Sequence, residues 1–300
     1  MPFFENFMKN NKKKLKKRIR KGIPDSLRGE VWLKITGTEK IINQNNNVYN
    51  ELVNNIKDNE TLIPDEEIII KDLHRTFPKS LLFLNRLGQG QRFLFRILSC
   101  FSTRNKKVGY VQGMSFIVGI FLSYMTEEKA FWMLDTIMKN YKLQEKYYPG
   151  FPGLKVDFFV FLKLMQKLLP NVFELFTKKK VFPPLYASSW YLTCFANAFP
   201  YYISLRILDC YLYEGNKILH RFCLGLLALK ENEILSKNTF FGIMDTLKTI
   251  THNVDVDTLF KKSFGLSISR KKIMEYENLY KDYLSGKKTG DEDIMAQIIM

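Results

Sequence analysis

Dense apolar segments of helix length constrain the fold of this chain more than any other feature. Each has the length of a helix and a high apolar content, and they cover residues 92–101, 155–169, 204–213, 217–229 and 270–284. In the last segment Ile273, Tyr276, Tyr280 and Tyr283 share one helical face. Sustained strand-like alternation and Asn-Gly or Asp-Gly hairpin turns do not occur in the sequence. These patterns predict an all-α fold.

The domain organisation follows from length and from loop composition. A chain of 300 residues with 46% hydrophobic residues can bury a sizeable core. Prolines and glycines predict loops at residues 149–153 and 177–184, and we place a division between two helical lobes near the second loop. The predicted organisation is a basic leader over residues 1–18, a folded domain over residues 19–285 and a C-terminal tail over residues 286–300.

Two segments have compositions unlike the rest. Residues 38–59 contain an asparagine-rich run, which predicts a variable insertion or a mobile loop, although Tyr49, Leu52, Val53 and Ile56 are spaced for a short amphipathic helix. Residues 291–300 follow the last predicted helix, and the sequence leaves two readings open, a disordered tail or a docking segment.

The formal net charge of +16 is concentrated near the N-terminus. Residues 9–21 carry nine basic side chains and no acidic one. A solvated basic helix and an anionic membrane surface are both compatible with this run. No nucleic-acid-binding motif accompanies the charge, so the sequence disfavours a nucleic-acid partner.

Metal, nucleotide and membrane-spanning functions find little support in the residue spacing. Four cysteines without a Cys-x-x-Cys pair predict reduced core thiols, and three scattered histidines do not form a ligand set. A phosphate-binding Gly-x-x-x-x-Gly-Lys-Ser/Thr loop is absent from the sequence. Prolines and hydroxyls interrupt the uncharged run at residues 181–205, and no signal peptide is recognisable. We therefore expect a cytoplasmic location.

Two short motifs carry side chains suited to phosphate chemistry. Arg75 stands three residues before Pro78, and Gln112 stands beside a glycine. An arginine offers a permanent charge and a planar fork of donors that matches phosphate oxygens. A glutamine amide both accepts and donates, so it can orient a water. Taken alone, Arg75 is also explained as a cation near a helix C-terminus and Gln112 as part of a helix start.

Read together, the motifs resemble a known family. Asp72-x-x-Arg75-Thr-Phe-Pro with Tyr110-x-Gln112-Gly-Met is similar to the paired signature of the TBC domain, found in GTPase-activating proteins for Rab GTPases. Residues 20–32, with Arg28 and Trp32, resemble the N-terminal part of that domain. Residues 190–215 resemble its second half, except that Leu208 stands where a tryptophan is expected.

The resemblance implies a TBC-like fold of two helical lobes and a role for each matched residue. By this match Arg75 is an arginine finger and Gln112 a glutamine finger, and Asp72 and Tyr110 are supporting residues. The remaining matched residues, assigned to packing, are Arg28 and Trp32.

The same resemblance defines the expected partner. The chain would activate a GTP-bound Rab GTPase in vesicle trafficking without being an enzyme or binding a cofactor itself, since GTP and magnesium belong to the partner. A peripheral position on endomembranes is then expected. The alternative function is a non-catalytic Rab-binding scaffold that uses the same surface.

Overall fold

The computed structural model describes residues 6–8, 10–57, 63 and 65–298, and within these ranges the regular structure is helical, with no strand. The predicted helices lie within or match observed ones: Gln89–Arg104, Pro152–Leu168, Tyr201–Glu214, Lys217–Leu229 and Arg270–Leu284. Only Leu169 of the predicted segments falls outside its helix. The all-α prediction is confirmed.

The chain forms two compact units. The first comprises the described residues up to Pro149 together with Leu208–Tyr213, and the second comprises Gly150–Ile207 with the described residues from Glu214 onward. The boundary lies in the first of the two predicted loops. The division predicted near residues 177–184 instead falls inside the second unit, where Val172, Phe176 and Val181 are buried and hold this stretch to its own core.

The first unit contains eight helices that are described completely within it. They are α1 (Lys12–Lys21), α2 (Asp25–Thr36), α3 (Thr38–Gln44), α4 (Val48–Lys57), α5 (Glu66–Leu73), α6 (Gln89–Arg104), α7 (Met114–Leu122) and α8 (Glu127–Asn140). A short 3₁₀ helix, Leu143–Lys146, follows. Helices α6, α7 and α8 pack on one another around large side chains that are fully buried: Phe101, Phe121, Phe131 and Trp132.

The asparagine-rich segment is part of this core. Through residue 57 it forms α3 and α4 rather than the predicted insertion or mobile loop, and residues 58–59 lie outside the described residues. Thr38 donates to Thr136 Oγ1 at 3.0 Å, and Tyr49 donates to Glu127 Oε1 at 2.6 Å. These buried contacts explain why a polar sequence is ordered here.

The predicted boundary between leader and domain at residue 18 falls within a helix. Helix α1 runs across it with Leu15 and Ile19 buried, while Lys12, Lys13 and Lys14 are exposed. The basic run is therefore the outer face of a helix whose inner face packs on the first unit.

The second unit contains the helices from α9 onward, with residues 208–213 of α12 assigned to the first unit. They are α9 (Pro152–Leu168), α10 (Pro170–Lys179), α11 (Ser188–Leu192), α12 (Tyr201–Glu214), α13 (Lys217–Leu229), α14 (Glu231–Leu235), α15 (Phe240–Thr249), α16 (Val256–Gly265), α17 (Arg270–Leu284) and α18 (Glu292–Ala296). A short 3₁₀ helix, Pro183–Leu185, precedes α11. Helix α9 packs against α10 and α17, and α13 packs against α16.

The C-terminal tail is ordered and packed on the second unit through residue 298, which disagrees with the disordered reading of this segment. Ile294 and Ile298 are buried. Asp291 pairs with Lys163 at 3.1 Å and accepts from the Tyr283 hydroxyl at 2.8 Å. All four cysteines are buried and none of them forms a disulfide bond, as predicted. No described helix has both the length and the apolar character required to cross a bilayer.

A buried carboxylate joins distant parts of the first unit. Asp209 accepts from Trp32 Nε1 at 2.8 Å, from Arg28 Nε at 3.2 Å and from the backbone N–H of Ile23 at 3.1 Å. Burial raises the pKa of the Asp209 carboxyl above its ordinary value, while Arg28 and the two N–H donors oppose that shift. Leu208, the departure from the family pattern, is buried beside it.

We expect Asp209→Asn to lower the free energy of unfolding by about 3 kcal/mol, because it leaves Arg28 without its buried partner. Urea titration followed by circular dichroism measures this change. The matched control is Asp25→Asn, which removes a second carboxylate paired with Arg28. Asp25 is 77% exposed whereas Asp209 is fully buried, so the control should cost about 0.5 kcal/mol or less. Equal effects of the two variants would contradict a structural role for Asp209.

Candidate functional site

Arg75 lies just beyond the C-terminus of α5 rather than in its last turn. The helix ends at Leu73, and the backbone N–H of Arg75 and the hydroxyl of Thr76 both donate to the Asp72 carbonyl, at 3.3 and 2.8 Å. Pro78 disfavours helical geometry at the preceding residue. Phe77 is not helical, and its φ of +45° lies in the left-handed region. Helix α5 thus ends before Arg75, and Arg75 stands in the irregular segment that follows the helix.

Gln112 lies in the irregular segment between α6 and α7. Asp65 anchors this segment: its Oδ2 accepts from the backbone N–H of Tyr110 at 2.6 Å and from the hydroxyl of Ser102. Sequence reasoning did not identify Asp65. Asp65 directly precedes α5 and its partners lie 37 and 45 residues away along the chain, so no local sequence pattern signals its role.

The structure brings the four predicted finger and supporting residues together. With the Gln112 amide turned so that its oxygen faces the guanidinium, that oxygen accepts from Arg75 Nη1 at 3.1 Å and from Nη2 at 2.8 Å. Asp72 Oδ1 forms an ion pair with Arg75 Nη2, and Asp72 Oδ2 accepts from the Tyr110 hydroxyl. One carboxylate therefore links the arginine segment to the glutamine segment.

Burial differs sharply across this cluster. The Arg75 side chain is 45% exposed whereas that of Asp72 is 2% exposed. Burial raises the pKa of Tyr110 above its ordinary value, and the hydrogen bond to Asp72 raises it further. The Tyr110 hydroxyl therefore stays protonated and donates. The Arg75 guanidinium is therefore held by Asp72 and Gln112 while nearly half of the side chain remains accessible to solvent.

Aromatic packing supports the backbone that follows Arg75. Phe77 contacts Phe116 edge to face, with ring centroids 5.5 Å apart. Gly119 of α7 lies against this segment, and a Cβ atom there would stand 3.0 Å from the Phe77 ring and 3.1 Å from the Thr76 side chain. A larger side chain at this position would press against Phe77 and Thr76, so α7 packs closely against the arginine segment.

The other two matched residues belong to a different cluster. Arg28 and Trp32 hydrogen-bond to Asp209, as described above, which agrees with the packing role expected for them. The described part of the chain contains no group of three His, Cys, Asp or Glu side chains placed to hold a metal ion. The site consists of an exposed guanidinium, an adjacent amide and the groups that hold them.

Comparison with known proteins identifies the family of this arrangement. The model of the Rab-GTPase-TBC domain matches residues 25–235, which include both finger motifs. Growth hormone-regulated TBC protein 1 of Xenopus tropicalis is 35% identical over 240 residues, which cover 79% of this chain and 69% of that protein. Rab GTPase-activating protein eat-17 of Caenorhabditis elegans is 30% identical over 288 residues, covering 95% of this chain but 31% of that protein.

Solved structures agree with the sequence matches. The Chlamydomonas flagellar RabGAP TBC domain superposes with a TM-score of 0.76 at 27% identity and covers 88% of this chain and 90% of its own. The chain thus spans a whole solved domain but about a third of the length of the nematode relative. The family match, the sequence relatives and the all-α fold together show that the chain belongs to the Rab-GTPase-TBC domain family.

Proposed function

We propose that this chain activates GTP hydrolysis by a Rab-family GTPase and that Arg75 and Gln112 act on the partner's GTP. The observation that carries the proposal is the pairing of an exposed guanidinium with a glutamine amide, held by the buried Asp72 carboxylate. Membership of the family supports the reaction, and a relative named as a Rab GTPase-activating protein supports the partner class.

The proposed mechanism follows from charge and geometry. In phosphoryl transfer the negative charge spreads over the oxygens of the transferred group, and catalysis consists mostly of positioning and charge stabilisation. Arg75 supplies a cation that needs no deprotonation or protonation step, and Gln112 supplies an amide that orients the attacking water. The GTP and its magnesium ion come with the partner in its GTP-bound state. On docking, both side chains exchange their mutual hydrogen bonds for contacts with phosphate and water.

Asp72, Tyr110 and Asp65 are positioning residues in this proposal. Asp72 orients the guanidinium, Tyr110 ties Asp72 to the second segment, and Asp65 holds the Tyr110 backbone. Asp72 and Tyr110 are buried and Asp65 is partly buried, so they would act through Arg75 and Gln112 rather than touch GTP. A positioning error of about 1 Å can cost a factor of about 10² in rate.

We expect Arg75→Ala and Arg75→Lys each to reduce accelerated hydrolysis by a factor of about 10³ or more, since a lysine restores charge but not the planar fork. Single-turnover phosphate release from a panel of GTP-loaded Rab proteins measures this. Lys129→Ala, which removes an exposed charge from α8, should leave the rate unchanged. Acceleration that survives Arg75→Ala would exclude the arginine assignment.

Gln112→Ala should reduce hydrolysis by about a hundredfold while binding to the GTPase persists, because the amide is needed for orientation rather than for affinity. Binding is measured with the same GTPase loaded with a non-hydrolysable GTP analogue. A wild-type chain that binds a Rab protein yet accelerates none of the panel would instead support the non-catalytic scaffold.

We also propose that the exposed basic face of α1 contacts anionic membrane surfaces near the partner, on endomembranes facing the cytoplasm. Each such charge contributes about 1 kcal/mol near an anionic surface. Replacing Lys12, Lys13, Lys14 and Lys17 by glutamine leaves the buried Leu15 and Ile19 in place, so the helix should persist. We expect at least about a tenfold loss of binding to phosphatidylserine vesicles in a sedimentation assay.

The control for this experiment carries the same change in net charge elsewhere. Lys261, Lys262, Lys287 and Lys288 are exposed in the second unit, and their replacement by glutamine should have a much smaller effect. Equal losses in the two variants would show that net charge, rather than α1, causes the attraction.

A further inference from the structure

Three leucines on the segment that follows Arg75 point into solvent. Leu81 is 91% exposed, Leu84 59% and Leu87 64%. We call Leu81, Leu84 and Leu87 the leucine ridge. An apolar groove of about 330 Å³ adjoins it, and Leu87 forms part of the groove wall together with Ile70, Leu73 and Phe95. Clustered exposure of large apolar side chains marks an interaction surface.

The segment that carries the ridge is held firmly rather than hanging free. Phe83 is buried between the exposed leucines. The Gln91 side chain is also buried, and it accepts from the Leu87 N–H at 3.0 Å and donates to the Phe83 carbonyl at 3.1 Å. A Cβ atom on Gly90 would lie 2.1 Å from the Leu82 carbonyl oxygen, so helix α6 approaches the loop as closely as backbone allows.

Leu87 adds a conformational argument. Its φ is +58°, in the left-handed region that a leucine rarely adopts, and its carbonyl accepts from Arg92 Nε at 2.8 Å. A residue held in this region costs of order 1–3 kcal/mol. The fold therefore keeps an unfavourable backbone conformation at a leucine whose side chain stays largely exposed at the groove wall.

The charges around the ridge indicate the chemistry of its partner. From Leu73 to Arg96 the sequence contains no acidic residue. Lys79, Arg86 and Arg92 all lie in this stretch and are exposed. The complementary surface is apolar with acidic residues at its margin, because a basic margin would face like charges.

We infer that the leucine ridge is the surface that docks the GTP-bound GTPase and determines which GTPase is accepted. This inference rests on the proposed function. Arg75 lies six residues before Leu81, and Leu73 of the groove wall lies two residues before Arg75. A protein whose nucleotide site reaches Arg75 therefore comes close to the groove and to the ridge beside it. The partner presents an apolar patch with an acidic margin beside its nucleotide site, and one apolar side chain of that patch enters the groove.

The ridge and the fingers have different kinetic signatures. Leucine contacts form when the partner docks and persist unchanged in the transition state, so they contribute to KM and not to kcat. Loss of Arg75 lowers kcat, because its contribution arises with the charge of the transition state. This difference separates docking from catalysis in one assay.

The test compares two double variants in a Rab panel. We expect Leu81→Ser with Leu84→Ser to raise KM at least about tenfold for the accepted GTPase with kcat unchanged, since two leucines lose their burial. The control is Phe241→Ser with Leu284→Ser, two similarly exposed apolar residues of the second unit, and it should leave both parameters unchanged. Circular dichroism confirms that each variant is folded.

The outcomes separate the inference from the function on which it rests. An unchanged KM in the ridge variant, while the wild-type chain accelerates hydrolysis, overturns the inference alone. A wild-type chain that binds but does not accelerate overturns the proposed function, and affinity for the analogue-loaded GTPase then replaces KM as the readout. A chain that does neither overturns both. Sedimentation velocity adds a further outcome: a dimer that the ridge variant converts to monomer, with KM unchanged, assigns the ridge to self-association instead.

Discussion

The Asp72 carboxylate is the contact on which the candidate site depends. It pairs with Arg75 through one oxygen and accepts the Tyr110 hydroxyl through the other. Because Asp72 belongs to α5 and Tyr110 precedes α7, this single group sets the separation of the segments that carry Arg75 and Gln112. Its burial makes the bond to Tyr110 strong, since little water competes for the carboxylate.

Two other carboxylates in the first unit act in the same way: Asp65, which is partly buried, and Asp209, which is fully buried. Asp65 joins the start of α5 to the segment before Gln112, and Asp209 joins α12 to α2 through Arg28 and Trp32. A carboxylate offers about four acceptor positions, so it can satisfy donors from several segments at once. In a helical fold these donors lie at side chains and helix ends, because the interior N–H groups already bond within the helix. The candidate site is therefore held in place by hydrogen bonds from residues far apart in the sequence to shared carboxylate acceptors.

The dependence of the site on long-range contacts explains which structural features could be predicted from the sequence and which could not. Helices such as Lys217–Leu229 follow from local periodicity, and Arg75 with Gln112 followed from a motif spacing together with a family resemblance. Asp65 was missed because its role depends on contacts 37 and 45 residues away. The mobile loop predicted within residues 38–57 is wrong for a similar reason, since the order of this segment comes from the partners of Thr38 and Tyr49 on α8. The amphipathic spacing from Tyr49 to Ile56 did indicate helical turns there. Proline and glycine content predicted both loops, but which of the two separates the units depends on tertiary packing that loop composition does not encode.

The partial exposure of Arg75 sets an energetic condition on its proposed use. Its hydrogen bonds to Gln112 are each worth about 1 kcal/mol net, so exchanging them for phosphate and water contacts costs little. Removing the guanidinium from water costs more, and that free energy has to come from contacts made elsewhere on the docking surface. The leucine ridge lies on the segment that begins at Arg75 and is held to α6 by Gln91. Burial of the leucines on docking would therefore stabilise the complex through the same rigid segment that carries Arg75. Part of the docking free energy would then hold the Arg75 guanidinium in position at the partner's GTP.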